Sequence, residues 1–280
     1  MLDLKSAFST QPPPLDFVWR GFVAGTVGTV TAAGSTGKSF WAMEAGMGVA
    51  SAVANESLLN LEIEHNGRVV ILNAEDPEQV LLQRLFAIGK FLSPEARDEV
   101  AENLVIEPLV GFGVNVMTDK WVDAVCRVGE CARLIILDTH SRWSGGVDEN
   151  DNAKQSLVLQ RYEHIARVTG AAVLFPHHVA KSAARDGSVD SQQAARGAAA
   201  IIDNCRWAGW MQTMTPEQAK LFAIPDDQRK SFVAYGGNKE NYGAHTAETW
   251  YQRKEGGVLL PVDLVVPQKA SKGGRRELTE

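Results

Sequence analysis

Apolar runs alternate with amphipathic segments along the chain from residue 26 onward. Short apolar or β-branched runs predict strands at 27–31, 68–72, 104–107, 133–137 and 171–175. Apolar residues at helical spacing predict helices between them, at 38–53, 77–89, 118–131 and 151–168. Later runs predict strands at 203–213 and 230–236 and a hairpin at 247–263. This alternation is typical of an α/β fold with a central, mostly parallel sheet flanked by helices, and the final strands predict a C-terminal antiparallel extension.

The two ends of the chain depart from this alternation. Residues 1–23 contain three consecutive prolines at 12–14, which oppose helix continuation and favour an extended N-terminal arm. Residues 265–280 are polar and glycine-containing, which predicts a flexible C-terminal tail. A single domain is therefore expected over residues 24–264.

The first strand runs into a small-residue loop that ends in Gly37-Lys38-Ser39 and opens a helix. This arrangement predicts a phosphate-binding loop, because backbone N–H groups and the helix N-terminus both attract an anion. We expect Lys38 to contact the β- and γ-phosphates and Ser39 to bind Mg²⁺. The candidate nucleotide contacts are Ala33, Gly34, Ser35, Thr36, Gly37, Lys38, Ser39 and Phe40. The alternative is an ordinary glycine-rich turn. The usual pattern opens with glycine, whereas this one opens with Ala32.

Two carboxylates follow later strands at the sheet edge where ligands of parallel sheets bind. Glu75 follows one apolar run, and we expect it to orient and deprotonate the attacking water. Its alternative role is to complement a helix dipole. Asp76, before Pro77, is predicted to be a helix N-cap. Asp138 ends the next run and is expected to hold Mg²⁺ together with Ser39.

Three further residues are candidates for transition-state or sensor roles. His178, beside His177, heads a long polar segment and could sense the γ-phosphate, although a histidine pair is also a common structural feature. Arg206 and Lys239 lie far downstream and are candidates for a cation donated to a neighbouring subunit, with Arg206 preferred. The alternative for each is a surface ion pair.

Composition bears on the cellular location and the partners of the protein more than on its function. The chain has 28 Lys and Arg against 34 Asp and Glu, a net charge of −6, which argues against a broad basic DNA-coating face but allows a narrow basic channel. The three cysteines lack metal-ligand spacing, and we expect reduced, packed thiols. Neither a membrane span nor a signal peptide is evident, so we expect a cytoplasmic protein without membrane partners.

The linked motifs resemble those of the RecA-like ATPases, and among them the small plasmid-encoded replicative helicases. The segments that carry the resemblance are "AGTVGTVTAAGSTGKS", "VVILNAEDP", "LIILDTHSRW", "VLFPHH", "ARGAAAIIDNCRW" and "NKENYGA". The resemblance implies a RecA-like P-loop ATPase domain, a homohexameric ring, and Mg²⁺-dependent ATP hydrolysis that drives 5′-to-3′ movement on single-stranded DNA. By motif it assigns catalysis to Lys38, Glu75, His178 and Arg206. It also implies contact with other replication initiation proteins.

The segment 177–197 is the candidate DNA-binding loop. It holds Lys181, Arg185 and Arg196 among small residues, which fits sequence-tolerant phosphate contacts. The segment "THSRW", which leads into the second long connection at 140–152, is less basic than the resembling segment of the helicases, which weakens the case for DNA contacts at 140–143. Two alternatives to a helicase stay open: an ATP-switched regulatory or loading protein and a recombinase-type filament.

Overall fold

The computed structural model describes residues 2–53, 57–149, 151–179, 199–243 and 247–267. Its strands are β1 Phe17–Trp19, β2 Phe22–Val23, β3 Val27–Ala32, β4 Val69–Asn73, β5 Leu104–Pro108, β6 Leu134–Asp138, β7 Ala172–His178, β8 Trp207–Thr213, β9 Phe232–Glu240, β10 Thr249–Arg253 and β11 Leu259–Pro261. Its α-helices are α1 Leu4–Ser9, α2 Lys38–Ala50, α3 Glu78–Gly89, α4 Pro94–Asn103, α5 Asp119–Val128, α6 His140–Trp143, α7 Asn152–Thr169, α8 Ala199–Asn204 and α9 Pro216–Leu221. Short 3₁₀ turns lie at Arg229–Ser231 and Glu255–Gly257.

One large sheet organises the described part of the chain. Its strand order is β11-β10-β9-β8-β3-β7-β6-β4-β5. The pairs from β8 to β5 are parallel, whereas β8–β9, β9–β10 and β10–β11 are antiparallel. The predicted fold class, a mostly parallel sheet with an antiparallel C-terminal extension, is therefore confirmed.

The central strands are buried on both faces, as their continuous apolar runs indicate. Every residue of β3, β4 and β6 is buried. One face packs against α2, and the other carries a second cluster that includes residues of α5 and α7. Parallel strands are usually covered on both faces. Because β3, β4, β6 and β7 run parallel, their carboxyl ends lie at the same edge of the sheet.

Part of the N-terminal segment contributes to the core. β1 and β2 form a small antiparallel pair, and Trp19 and Phe22 are buried. Trp19 packs edge-on against Trp41 of α2 and Trp207 of β8, with ring centroids 6.1 and 5.4 Å apart. The segment is thereby attached to the helix that follows the phosphate-binding loop.

Several predicted boundaries are wrong for identifiable local reasons. The N-terminal segment is not extended throughout, because Asp3 caps α1 before the prolines. Residues 203–206 are not a strand, because α8 runs to Asn204 and β8 begins at Trp207. The helix predicted at 38–53 ends at Ala50, where Ser51 is extended.

The cysteines are free thiols, as expected, but they are not all packed. Cys205 is buried, whereas Cys131 is exposed in a turn. None of the helices in the described ranges combines the length and apolar character that crossing a membrane needs.

Candidate nucleotide-binding site

The loop between β3 and α2 has the geometry that the sequence predicts. Gly37 precedes the helix with φ of +106°, a left-handed conformation that favours glycine, and Ser35 also has a positive φ of +65°. Ala32 is the last residue of β3, so the atypical first position of the motif still belongs to the strand. Gly34 and Ser35 are exposed, which leaves this side of the loop accessible to a ligand.

Lys38 is held against the loop by hydrogen bonds. Its side chain is 4% exposed, and its Nζ donates to the carbonyl oxygens of Ala32 and Ala33 at 2.9 and 3.1 Å. Burial lowers the pKa of Lys38 to about 8, and the negative charges of Glu75 and Asp138 oppose this shift. The ammonium group is therefore predominantly charged at neutral pH and directed toward the loop.

His178 lies between Lys38 and Glu75. Its Nδ1 is 3.1 Å from Lys38 Nζ, and its Nε2 is 3.7 Å from Glu75 Oε1. Because a lysine ammonium can only donate, Nδ1 accepts and the imidazole proton resides on Nε2, facing the carboxylate. The interaction with His178 lowers the pKa of Glu75, so Glu75 is ionised and can accept a proton at neutral pH.

The two adjacent histidines have different environments. His177 is 2% exposed, and its ring lies 5.1 Å from that of His140. Burial lowers the pKa of His177 to about 3 and that of His140 to about 4. His177 is therefore a neutral core residue, and His178 is the member of the pair that lines the pocket.

Asp138 has one oxygen that is available for a cation. The residue is 1% exposed, its Oδ2 accepts from Asn73 Nδ2 at 2.9 Å, and its Oδ1 is buried without a hydrogen-bond partner among the described residues. Burial raises the pKa of Asp138 to about 7, and the charge of Glu75 adds to this effect. An unpartnered buried carboxylate oxygen near the Ser39 hydroxyl fits a hard cation such as Mg²⁺.

The described residues include no cluster of three or more His, Cys, Asp or Glu side chains that could bind a metal without help. A magnesium ion at a nucleotide usually takes one or two protein ligands and completes its shell with water and phosphate oxygens. Ser39 and Asp138 are the residues here that would hold it.

Sequence reasoning misassigned Asp76. The helix N-cap is Pro77, and α3 begins at Glu78 without a side-chain cap. Asp76 instead pairs with Arg84 at 2.7 Å, and the Arg84 guanidinium lies 5.3 Å from the Phe40 ring centroid. Arg84 borders the pocket but was not predicted, because a lone arginine on a helix carries no local signal.

Arg253 is the second residue that sequence reasoning missed. It donates from Nη2 to the carbonyl oxygens of Ser35, at 3.1 Å, and Thr36. These contacts hold the outer side of the loop from β10, on the C-terminal hairpin. Together the loop, Glu75, His178, Arg84 and Arg253 line a pocket of about 290 Å³.

Arg206 and Lys239 lie at the opposite edge of the sheet. The backbone N–H of Arg206 donates to Val27 O at the start of β3, and Lys239 is paired with Ala208. The five-residue rise from Val27 to Ala32 separates this edge from the loop by about 16 Å at ~3.3 Å per residue. Neither cation is therefore placed near the phosphate loop of its own chain.

Arg206 and Lys239 differ in whether their side chains are hydrogen-bonded within the described structure. Arg206 is exposed and has no side-chain hydrogen bond or ion pair with the described residues. Lys239 Nζ donates to Asp203 O at 2.6 Å, at the end of α8. The candidate DNA contacts Lys181, Arg185 and Arg196 lie outside the described residues.

The fold and this loop define a P-loop ATPase with a RecA-like fold. Two solved structures show the same fold: the RadB recombinase, with a TM-score of 0.50 and 13% identity over 86% of this chain and 93% of that chain, and a DnaB-like replicative helicase. The helicase, whose structure addresses its interactions with primase, matches with a TM-score of 0.62 and 12% identity over 93% of this chain and 65% of that chain. A model of the AAA domain family matches residues 2–184, so the chain belongs to that family.

Proposed function

We propose that this chain is an ATP-dependent replicative DNA helicase of the plasmid RepA type, which assembles as a homohexameric ring and moves 5′ to 3′ on single-stranded DNA. The observation that carries the proposal is the position of Arg206. Its guanidinium is exposed and has no partner among the described residues, and its backbone lies about 16 Å from the phosphate loop of its own chain. A cation in this position is too far from the loop of its own chain to act there, which supports a role in the site of a neighbouring subunit.

Within one subunit, each candidate site residue has a distinct role in ATP hydrolysis. Lys38 would leave the carbonyl oxygens of Ala32 and Ala33 to bind the β- and γ-phosphates. Glu75 would orient the attacking water and accept its proton, because it is ionised and half-buried at the pocket. Mg²⁺ held by Ser39 and Asp138 would supply charge neutralisation on the phosphates.

His178 is proposed to link the nucleotide to the DNA-binding segment. When Lys38 turns to a phosphate, His178 loses the donor at its Nδ1, which is now 3.1 Å away. His178 also ends β7 and leads into the segment that holds Lys181, Arg185 and Arg196, the proposed phosphate contacts to single-stranded DNA. A change in the position of His178 would thus be transmitted to Lys181 through the two residues that lie between them in the sequence.

The motif order and the similarity to a DnaB-like replicative helicase support the helicase. Contact with replication initiation proteins and a cytoplasmic setting belong to the same proposal. The second candidate is a recombinase-type or ATP-switched ATPase without strand separation, which the similarity to the RadB recombinase favours.

Strand displacement tests the proposal directly. Duplexes with a 5′ or a 3′ single-stranded tail are incubated with ATP and Mg²⁺, with Lys38→Ala as the matched inactive control. We expect displacement of the 5′-tailed duplex alone and hexamers by native mass spectrometry. ATP hydrolysis without displacement would overturn the helicase assignment. In that case, filaments in electron micrographs would identify the recombinase type, and hydrolysis that ignores single-stranded DNA would identify the switch.

A further inference from the structure

Asn73 occupies a position between the two proposed catalytic carboxylates. It is the last residue of β4, its side chain is fully buried, and its register partner on β6 is Asp138. Glu75 follows it by two residues. The ends of the two strands are further joined by a hydrogen bond from Ala74 N to Asp138 O at 2.6 Å.

Both polar atoms of the Asn73 carboxamide are hydrogen-bonded to groups of the site. Its Nδ2 donates to Asp138 Oδ2 at 2.9 Å, and its Oδ1 accepts from the backbone N–H groups of Glu75 and Asp76 at 3.1 and 2.8 Å. The orientation of the amide is fixed by chemistry, because the reverse would place N–H groups against N–H groups and oxygen against oxygen.

We infer that Asn73 is a positioning residue that fixes the metal-binding carboxylate and the general base relative to each other. This inference rests on the proposed roles of Asp138 and Glu75. By occupying Oδ2, Asn73 leaves Asp138 Oδ1, which accepts no hydrogen bond of normal geometry from the described residues, to face the cation beside the Ser39 hydroxyl. Its other contacts fix the backbone from which the Glu75 side chain extends.

An apolar residue of similar size would satisfy burial but not the three polar groups. Two backbone N–H groups and one carboxylate oxygen would lose their partner in a buried place, which is costly. Partners of metal ligands typically affect metal affinity or activity 10- to 100-fold when they are replaced.

Two variants separate the two halves of the role. Asn73→Asp is nearly isosteric and still accepts from Glu75 and Asp76, but it cannot donate to Asp138 when ionised. Asn73→Ala removes both contacts. Asn103→Ala is the matched control, because Asn103 Nδ2 donates at 3.1 Å to the backbone of Ala50, remote from the carboxylates.

The measurements are hydrolysis kinetics and the Mg²⁺ dependence of binding of a fluorescent ATP analogue. For both Asn73 variants we expect kcat to fall by about 10- to 100-fold and the Mg²⁺ concentration for half-maximal tightening to rise about 10-fold. KM for ATP should change by less than about 3-fold, because Lys38 and the loop are intact. The control should match the wild type in all three quantities.

Wild-type kcat and Mg²⁺ dependence in Asn73→Asp would overturn the inference, as would a loss that Asn103→Ala shares. If Asn73→Ala fails to fold, Asn73→Asp decides alone. A wild-type protein that neither hydrolyses ATP nor responds to Mg²⁺ would instead refute the proposed function, so the two failures are distinguishable.

Discussion

The candidate site residues at the two edges of the parallel sheet differ in their contacts within the subunit. At the carboxyl-terminal edge Lys38, His178 and Glu75 form a connected chain, and Asp138 is buried beside Asn73. At the amino-terminal edge Arg206 is exposed and has no partner among the described residues, although Lys239 nearby is bound to a carbonyl oxygen. The side chains at the carboxyl-terminal edge are held by contacts within the subunit, whereas Arg206 has no partner among the residues that the structure describes.

Under the proposed function, the carboxyl-terminal edge carries the catalytic groups and the amino-terminal edge carries the cation that acts on a neighbouring subunit. A cation that must meet another subunit is best left without a competing partner. Substitutions at each edge test whether the two edges contribute separately to one site formed between subunits.

The largest effect is expected for Lys38→Ala. The substitution removes the cation that binds the β- and γ-phosphates, and we expect hydrolysis to fall to the detection limit. Steady-state phosphate release measures this, and circular dichroism should show an unchanged fold. Residual hydrolysis near the wild-type rate would show that the carboxyl-terminal edge is not the nucleotide site.

Arg206→Ala should lower hydrolysis by roughly 10³-fold or more, the scale of arginine fingers, while leaving the subunit folded and able to assemble. Arg206→Lys should restore little, because the planar guanidinium matches phosphate oxygens in a way that an ammonium does not.

A mixing experiment sharpens this prediction. Arg206→Ala and Lys38→Ala subunits combined should recover some activity, because some interfaces then pair an intact loop with an intact arginine. If native mass spectrometry confirms mixed rings and activity stays absent, Arg206 does not act across an interface.

Glu75→Gln should keep nucleotide bound but slow hydrolysis by about 10²- to 10⁴-fold, because the proton acceptor is lost while the loop remains. Equilibrium binding of a fluorescent ATP analogue together with single-turnover hydrolysis measures the two effects separately. A wild-type single-turnover rate would remove Glu75 from catalysis.

Lys239→Ala should change hydrolysis by less than about 3-fold and lower the free energy of unfolding by about 1 kcal/mol, the typical value of one hydrogen bond. The reason is that its Nζ is already bound to Asp203 O at 2.6 Å. Denaturant titration and phosphate release check both numbers. A loss comparable to that of Arg206→Ala would make Lys239 the donated cation instead.

The smallest effect on hydrolysis is expected at Glu44, away from both edges. Glu44 is 1% exposed, its Oε1 accepts from Leu259 N at 2.9 Å, and burial raises its pKa well above the usual 4.5. The folded state therefore keeps a proton that the unfolded state releases, so wild-type stability falls as pH rises above 4.5 toward the folded pKa.

Glu44→Gln removes this titration. Its stability should equal that of the wild type at low pH and exceed it increasingly as pH rises, by about 1.4 kcal/mol for each unit of pKa difference. Urea unfolding of both proteins from pH 5 to 8.5 measures the difference. A difference that does not depend on pH would show that Glu44 is ionised in the folded state.

The sequence predicted best what depends on neighbours along the chain. The strand, loop and helix around Lys38 and the placement of Asp138 at a strand end follow from local periodicity, and both are confirmed as structural features. The capping signals at Ser93-Pro94 and Thr215-Pro216 could have identified α4 and α9, which were missed.

What depends on distant parts of the chain could not be predicted in this way. Arg253 contacts Thr36 across 217 residues, and Asn73 contacts Asp138 across 65. No local pattern marks such residues, because their role arises only from strand order. The misassigned Asp76 shows the converse, since a strong local capping signal was overridden by an ion pair with Arg84.

The contact from Arg253 to the phosphate-binding loop has a consequence for biosynthesis. The loop is translated early, but its neighbouring strands β7 and β8 and its clamp Arg253 are among the later parts of the chain. Because a chain leaves the ribosome from its N-terminus, the loop emerges long before the residues that shape it. We therefore expect that a nascent chain lacking β10 cannot retain nucleotide, so that ATP consumption begins only after β10 has been synthesised.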